Sequence, residues 1–434
     1  MKKVLIIAYY FPPMGTGGVQ RTVKFAKYLP EFGWQPVIIT VKNVEYYSYD
    51  YSLSEEIKDI KTIRTFSLDP LLLSSVLNKI FNKKKDPPDK NYIGGKLKRF
   101  YNAFCKWIFI IDTKVLWIPF AVIKSIKIIK NENIQAVFTT SPPNSAHIAG
   151  LILKKIMNLK WTADFRDYWI MDGITNFPSP IHKSINNFIR RKIIKNADHI
   201  VAVSKGIIDE VKMAYKKDSS DYSLIMNGFD TEDFPEKVPE KKHDKFRIIH
   251  SGTFNYVKNP TDFFSGLELA FKENSGLKND VLFMHIGISI DYDLISEAKK
   301  RGLENIIIQK GYLEHKKSIK RLLTGDLLFF THSDFCYTGM VSAKIFEYLA
   351  SGIPILAVIP DGEAADLIKK YNSGSICKNK NIENIKNAII LYYEKWKKNK
   401  NNLIKDTNFQ IPEELKQYSR KNQTKNLKNI LEKL

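Results

Sequence analysis

The segment KIFEYLASGIPIL, residues 344–356, carries a lysine and a glutamate at a spacing that could do chemistry. Lys344 and Glu347 are three residues apart, so on a helix they share one face, opposite an apolar face. Near a helix N-terminus a lysine suits a diphosphate, and a carboxylate one turn further on suits the paired hydroxyls of a ribose. A plain i, i+3 pair, worth about 0.3 kcal/mol, is the alternative. The position of the pair in the sequence favours the binding role.

A second candidate site is the glycine-rich segment YYFPPMGTGGVQR, residues 9–21. Gly15, Gly17 and Gly18 follow an apolar run and a proline turn, and they open a predicted helix. Their backbone N–H groups can approach an anion, and the helix N-terminus adds a partial positive charge, which Arg21 would reinforce. A purely steric glycine turn is the alternative, because the spacing is not that of the dinucleotide-binding fingerprint.

A cluster of charged residues lies in WTADFRDYW, residues 161–169, at the end of a predicted strand. Asp164, Arg166 and Asp167 fall within four residues. A carboxylate at a strand end that faces a cleft can hold a sugar hydroxyl or accept a proton. His147 is predicted to face the same cleft. The alternatives are a local salt-bridge network for the cluster and a structural role for the histidine.

A fourth candidate is HSGTFNYVKNP, residues 250–260, which combines a strand end, a turn at Gly252 and a lysine. Lys258 is close enough to this turn in sequence to reach a phosphate. A solvated surface lysine is the alternative.

These candidates follow apolar runs that alternate with helical patterns, which indicates parallel sheets covered by helices. We predict an α/β fold of two doubly wound, Rossmann-like units, over residues 1–235 and 236–411, joined by the proline-rich, charged segment 231–245. In such sheets ligands bind beyond the carboxyl ends of the strands. The predicted strands are 4–8, 37–40, 136–139, 161–163, 199–203, 246–252, 281–287, 306–311, 327–332 and 354–359.

Composition limits the class of protein. The 434 residues are 44% hydrophobic and 12% aromatic, which supports two packed cores and excludes a disordered protein. Cys105, Cys336 and Cys377 lack metal-ligand spacing, so we predict a reducing compartment and no disulfide framework. The apolar run near the N-terminus leads into Pro-Pro and Gly-Gly and is predicted to be a strand rather than a signal peptide. No apolar run reaches the length of about 18 residues that spans a bilayer.

The net charge of +22, from 68 Lys and Arg against 46 Asp and Glu, indicates an anionic partner. Residues 79–130 hold 13 of these basic residues and only three acids, interleaved with aromatic and aliphatic side chains. Such a segment is typical of a surface that lies on anionic lipid headgroups. A general lysine bias of the chain is one alternative. Nucleic acid is another, although no nucleic-acid-binding motif is present.

The motifs together resemble those of the GT-B nucleotide-sugar glycosyltransferases of family 4, over nearly the whole length of the chain. In this family the donor binds mostly to the C-terminal domain and the acceptor to the N-terminal one. Transfer occurs with retention of configuration, commonly without a metal. The resemblance implies that Glu347 binds the donor ribose and that a C-terminal helix, about 412–434, packs back on the first domain. The matching segments are PPMGTGGVQR, SPPNSAH, ADFRDYW, ADHIVAVSKGI, MNGFD, HSGTFNYVKNP and KIFEYLASGIPILAV.

The chain departs from the family pattern at two donor-site positions. Gly339 stands where the family has its first motif glutamate, and Thr253 stands where it has an arginine, which leaves Lys258 of the basic pair. We expect Lys344 to supply the missing cation, since it shares a helix face with Glu347.

The resemblance, the cysteine usage and the basic, aromatic segment together predict a cytoplasmic glycosyltransferase at the inner face of a membrane, acting on a lipid-linked glycan in polysaccharide synthesis. We also expect no cofactor and no metal, since family members commonly need none, and no nucleic-acid partner, since the motifs for one are lacking. A sugar-nucleotide epimerase on the same fold and an inactive GT-B-like subunit that binds a partner enzyme are the alternatives.

Overall fold

The computed structural model describes residues 1–15, 17–42, 48–68, 104–170, 175–239, 245–256, 258–332, 338–399 and 408–434. The chain forms two compact units, one of residues 1–225 with 424–434 and one of residues 226–423. The basic stretch 79–103 and Cys336 lie outside the described residues.

The first unit is built on a seven-stranded parallel sheet with the order β3-β2-β1-β4-β5-β6-β7. Its central strands are apolar on both faces because helices cover both sides, as is usual for parallel sheets. Its strands are β1 (Lys2–Ile7), β2 (Trp34–Val41), β3 (Lys61–Thr65), β4 (Ala136–Ser141), β5 (Lys160–Phe165), β6 (His199–Ala202) and β7 (Tyr222–Leu224).

Two cores fill the faces of this sheet. The second of them includes Leu427, Ile430 and Leu431 from the C-terminal helix, which pack with β1 and the first helix. The helices of the unit are α1 (Gly17–Tyr28), α2 (Tyr51–Glu55), α3 (Ile118–Glu132), α4 (Ser145–Met157), α5 (Pro180–Asn196) and α6 (Lys205–Ala214).

The second unit has a six-stranded parallel sheet with the order β10-β9-β8-β11-β12-β13. It too has a core on each face. Its strands are β8 (Phe246–Ser251), β9 (Val281–Ile286), β10 (Ile307–Gln309), β11 (Leu327–Thr331), β12 (Ile355–Val358) and β13 (Gly374–Cys377).

The helices of the second unit follow its strands. One of them, α11 (Ala343–Ser351), ends where Gly352 adopts φ +67°, a left-handed conformation that glycine takes at little cost. The helices are α7 (Thr261–Glu273), α8 (Ser275–Asp280), α9 (Leu294–Lys299), α10 (His315–Leu322), α11 (Ala343–Ser351), α12 (Glu363–Lys370) and α13 (Ile382–Asn399). The last helix, α14 (Arg420–Lys433), begins in the second unit and continues into the first.

The predicted fold class is confirmed, since two doubly wound units with purely parallel sheets are present. None of the helices in the described ranges is both long enough and apolar enough to cross a bilayer. The segment after Ile225 belongs to the second unit, and Asp233 within it is only 4% exposed.

Candidate functional site

The second sheet reverses its strand order between β8 and β11, and this switch point brings several histidines together. His250 lies near the end of β8, His285 near the end of β9, and His332 directly after β11. All three are buried. Burial is the main reason that the pKa of each is lowered, so the imidazoles are neutral and serve as polar lining.

Gly252 forms the floor of this site. Its φ of +152° is one that other residues rarely adopt, and a Cβ there would clash with the Nζ of Lys344. The Gly252 N–H donates to the Ile286 carbonyl at 2.7 Å, and its own carbonyl accepts a bond of 2.7 Å from Nε2 of His285. The glycine is therefore fixed by β9 while the Lys344 ammonium lies directly over it.

Lys344 carries a charge that its surroundings disfavour. Burial, together with the nearby Lys258, lowers the pKa of Lys344 to about 7, and the charge of Glu347 only partly opposes this. Lys344 makes no hydrogen bond or ion pair with any of the described residues. A bound anion would supply the counter-charge that the described residues do not.

Glu347 does not pair with Lys344, although the two are three residues apart on α11. Its Oε1 accepts a bond of 2.9 Å from Nε2 of His315, at the start of α10. The other ring nitrogen of His315, Nδ1, lies 3.0 Å from Oδ2 of Asp233. Burial alone would lower the pKa of His315, but the two carboxylates outweigh it and raise this pKa to about 10.

Tyr348 fixes α11 against the sheet. It is completely buried, its hydroxyl accepts from the Ser251 N–H at 2.8 Å, and it donates to the Phe329 carbonyl at 3.4 Å. These bonds link α11 to the end of β8 and to the middle of β11. The position of Lys344 and Glu347 is therefore set by backbone groups of the sheet.

The structure brings most of the predicted donor-site residues together. Lys344, Gly252 and Lys258 lie close to one another, and Thr253 follows directly in the same turn. Lys258 is held in a loop by bonds between its backbone and Asn255. Gly339 is buried near the start of α11.

The first unit has its own polar cluster at the switch point between β1 and β4. Asp164 binds Arg21 through two bonds, Nε–Oδ2 at 3.2 Å and NH2–Oδ1 at 2.9 Å, and also accepts from Thr140 Oγ1 at 2.8 Å. Both members of the ion pair are 1% exposed. This is a correction to the prediction for Arg21, because the buried guanidinium leaves no surface for a donor phosphate.

Arg166 connects the glycine loop to the end of β4. Its guanidinium donates to the carbonyls of Gly18, Ser141 and Pro142. The same contact holds Gly18 in place, while Gly17 and Gly18 remain exposed at the start of α1. Arg166 is 8% exposed and acts on the shape of this loop.

His147 is 0% exposed, which corrects the expectation that it faces a cleft. Its Nδ1 lies 2.8 Å from Thr139 Oγ1, and its ring packs against Phe165 at a centroid distance of 4.6 Å. Burial is the main reason that its pKa falls to about 3. In this geometry His147 is a neutral core residue with no access to a substrate proton.

Asp167 is the exposed member of the charged cluster, and it borders a cavity of about 650 Å³ within the first unit. Aromatic side chains, including Tyr10, Phe109 and Tyr168, line this cavity. Asp112 lines it too and caps α4 by accepting from the Ser145 N–H at 2.8 Å. Burial raises the pKa of the Asp112 carboxyl.

Sequence reasoning missed His315, Asp233 and the buried histidines of the second sheet. His250 and His332 lie at the ends of apolar strands, and this position could have identified them as candidate site residues. For His315 and Asp233 only the polar character of their segments was visible.

Comparisons with known proteins identify the family of the chain. Residues 16–233 match the family model "Glycosyltransferase Family 4", and residues 231–408 match "Glycosyl transferases group 1". No curated protein sequence matches the chain.

Solved structures share the fold at low identity. A glycosyltransferase from Rickettsia africae has a TM-score of 0.59 and 16% identity, covering 100% of this chain and 93% of its own. The lipopolysaccharide outer core galactosyltransferase WaaB has a TM-score of 0.57 and 16% identity, and the match covers 100% of both chains. WaaG, a glycosyltransferase involved in lipopolysaccharide biosynthesis, has a TM-score of 0.55 and 12% identity. The match covers 99% of this chain and 95% of WaaG. The two family models together account for almost the whole chain, which therefore belongs to the group 1 type glycosyltransferases of family 4, with the GT-B fold.

Proposed function

We propose that the chain moves a sugar from a nucleoside diphosphate sugar to a lipid-linked glycan, with retention of configuration, in the synthesis of a cell-surface polysaccharide. The observation that carries the donor half of this proposal is Lys344, which lies above Gly252 and pairs with none of the described residues, with Glu347 one turn along the same helix. A diphosphate on Lys344 and a ribose on Glu347 match the order of the groups in such a donor.

In the proposed reaction the bond between the sugar C1 and the diphosphate oxygen breaks. The acceptor hydroxyl oxygen bonds to C1, its proton is released, and the nucleoside diphosphate leaves. Charge develops on the leaving diphosphate, and fixed cations stabilise it without reorganisation. We assign this role to Lys344 and Lys258 and propose no metal and no further cofactor.

The cavity of about 650 Å³ in the first unit is our candidate acceptor site. Aromatic rings such as Tyr168 and Phe109 offer flat apolar faces for sugar rings or a lipid chain. Asp167 at its border is placed to accept a hydrogen bond from a sugar hydroxyl. Asp164 and Arg166 support this site indirectly, since their bonds hold the strand ends beside it.

We propose that the protein works at the inner face of the cell membrane. The part of the basic, aromatic segment that the structure describes carries Phe104, Trp107 and Ile108, exposed by 53%, 58% and 52%. These residues lie at i, i+3 and i+4 of a helical stretch, so they share one face, with Lys106 exposed beside them. Apolar side chains next to basic ones suit an anionic lipid surface.

The function is tested with purified protein and a panel of nucleoside diphosphate sugars. We expect calorimetry to detect binding of one nucleoside diphosphate, and mass spectrometry to detect sugar transfer to lipid extract. The coupling constant of the new anomeric proton, measured by NMR, reports whether configuration is retained. An inverted product would contradict the retaining mechanism alone.

Two other outcomes identify the alternatives. A new sugar-nucleotide isomer that forms without any acceptor would indicate an epimerase. Protein that neither binds a nucleoside diphosphate nor hydrolyses any donor would indicate a binding subunit without activity.

A further inference from the structure

We propose that His315, flanked by the carboxylates of Asp233 and Glu347, is the positioning residue that orients Glu347 for the ribose of the donor. This inference rests on the proposed function of the second unit. It assigns a role to two residues, His315 and Asp233, that lie outside the motifs of the sequence analysis.

The contacts connect three side chains in series. Oδ2 of Asp233 lies 3.0 Å from Nδ1 of His315, and Nε2 of His315 lies 2.9 Å from Oε1 of Glu347. The exposed fractions of the three side chains are 1%, 17% and 14%, so Asp233 is fully enclosed while Glu347 keeps contact with the site. His315 thus connects the Glu347 carboxylate, which we propose binds the ribose, to the buried carboxylate of Asp233.

The placement of His315 is not explained by helix stability. It is the first residue of α10, and a positive charge at a helix N-terminus opposes the helix dipole. The flanking carboxylates keep the ring charged in spite of this and in spite of burial. A charged ring is a donor on both nitrogens, which is what two carboxylate partners require.

The arrangement leaves half of Glu347 available. In the described part of the chain its carboxylate bonds only His315, and only through Oε1. A ribose presents two adjacent hydroxyls. To bind both, the Glu347 carboxylate needs one oxygen that is held in a fixed direction and one that is not already engaged by the protein. An unrestrained glutamate would lose side-chain entropy on binding, at a cost of about 1 kcal/mol.

His315 also separates the two charges of α11. Glu347 and Lys344 are three residues apart and would otherwise be free to pair with each other. Because His315 engages the carboxylate, Lys344 stays available for the diphosphate.

The test is a double-mutant cycle on nucleoside binding. Calorimetry measures the dissociation constants of the tightest-binding nucleoside diphosphate and of its nucleoside for wild type, H315A, E347A and the double variant. Lys320→Ala, an exposed change on the same helix, is the control. We expect H315A to weaken nucleoside binding about tenfold and to have no further effect once Glu347 is alanine.

Thermal unfolding of each variant shows whether it folds, and D233N provides a second variant that keeps the side-chain shape. We expect D233N to weaken nucleoside binding in the same direction as H315A. In addition, NMR of the imidazole nitrogens should show His315 charged at pH 8 in wild type, with a lower pKa in E347Q.

Three results would overturn the inference. H315A binding the nucleoside as tightly as wild type would exclude a positioning role and leave the proposed function intact. Equal losses from H315A with and without Glu347 would show that His315 acts through the fold. A wild-type protein that binds no nucleoside diphosphate would contradict the proposed function, and this inference with it.

Discussion

At the scale of single residues, Lys344 should make donor binding depend on pH. Its pKa of about 7 in the free protein means that, above pH 7, a diphosphate must bind together with a proton. Wild-type affinity for the nucleoside diphosphate should therefore fall about tenfold per pH unit above 7, until the pKa in the complex is reached. Calorimetry from pH 6 to 9 measures this slope.

The control for this prediction is Lys344→Arg, because an arginine is charged throughout that range. Ionisation of the ligand itself is the same for both proteins, so the difference between their slopes belongs to residue 344. Lys344→Ala should weaken binding of the nucleoside diphosphate far more than binding of the nucleoside. Equal slopes for wild type and K344R, or equal losses for the two ligands, would contradict the role of Lys344.

Arg21 should matter for stability rather than for donor binding. Arg21→Met leaves the Asp164 carboxylate buried without its charged partner, which costs about 3–5 kcal/mol of unfolding free energy. Lys58→Ala, which breaks an exposed pair with Glu55, is the control and should change little. Tryptophan fluorescence during urea unfolding measures this, since five of the six tryptophans belong to the first unit. An unchanged midpoint for the Arg21 variant would contradict the structural role.

The sequence was informative for residues whose type and neighbours carry the signal. Lys344 and Glu347 share a helix face, so their proximity follows from spacing alone. The contact of His315 with Asp233 joins distant segments and depends on how α10 packs, which no local pattern encodes. The sequence did not predict burial either. Asp164 and His147 are buried, although their positions at the carboxyl edge of the first sheet suggested that a substrate could reach them.

At the scale of elements, the close approach of α4 to β5 depends on one glycine. A Cβ on Gly150 would clash with the indole of Trp161, which is itself fixed by a bond of 2.8 Å from Nε1 to Thr139 Oγ1. Gly150→Ala should lower the unfolding free energy by about 1–3 kcal/mol through overpacking. Differential scanning calorimetry measures the change. Gly17→Ala is the matched control, because apart from its own stretch of backbone the added Cβ meets none of the described residues within 4 Å, and similar losses for both would contradict this explanation.

The ten predicted strands are all present, but β3, β7 and β13 were not predicted. β3 and β7 are the edge strands of the first sheet, and β13 is an edge strand of the second. β3 has the sequence KTIRT, with one aliphatic residue, and the other two have three or four residues. Central strands of a parallel sheet need long apolar runs, whereas edge strands can rely on backbone pairing to one neighbour. This is why the sequence predicted the fold class but not the full number of strands in either sheet.

At the scale of the whole molecule, the net charge of +22 should act together with the exposed apolar face of residues 104–108. Replacing Phe104, Trp107 and Ile108 by alanine should reduce binding to vesicles that contain anionic phospholipid. Added salt should weaken what remains, because the charge attraction is screened within about 10 Å at 0.1 M. Vesicle co-sedimentation measures both effects.

The control for the membrane prediction is Leu391→Ala, which removes an exposed leucine from the second unit. That variant should bind vesicles as wild type does. Equal binding of the triple variant and wild type would contradict the assignment of this face to the membrane.

The path of the chain through the two units has a consequence for synthesis on the ribosome. Residues 1–225 emerge first, but the segment that completes their core, with Leu427, Ile430 and Leu431, follows the whole of the second unit. The core of the first unit is therefore incomplete while the second unit is translated and folds. During that time the apolar surface that Leu427, Ile430 and Leu431 later cover is exposed. A fragment that stops at residue 225 should aggregate, and a separately added peptide of residues 420–434 should rescue its solubility.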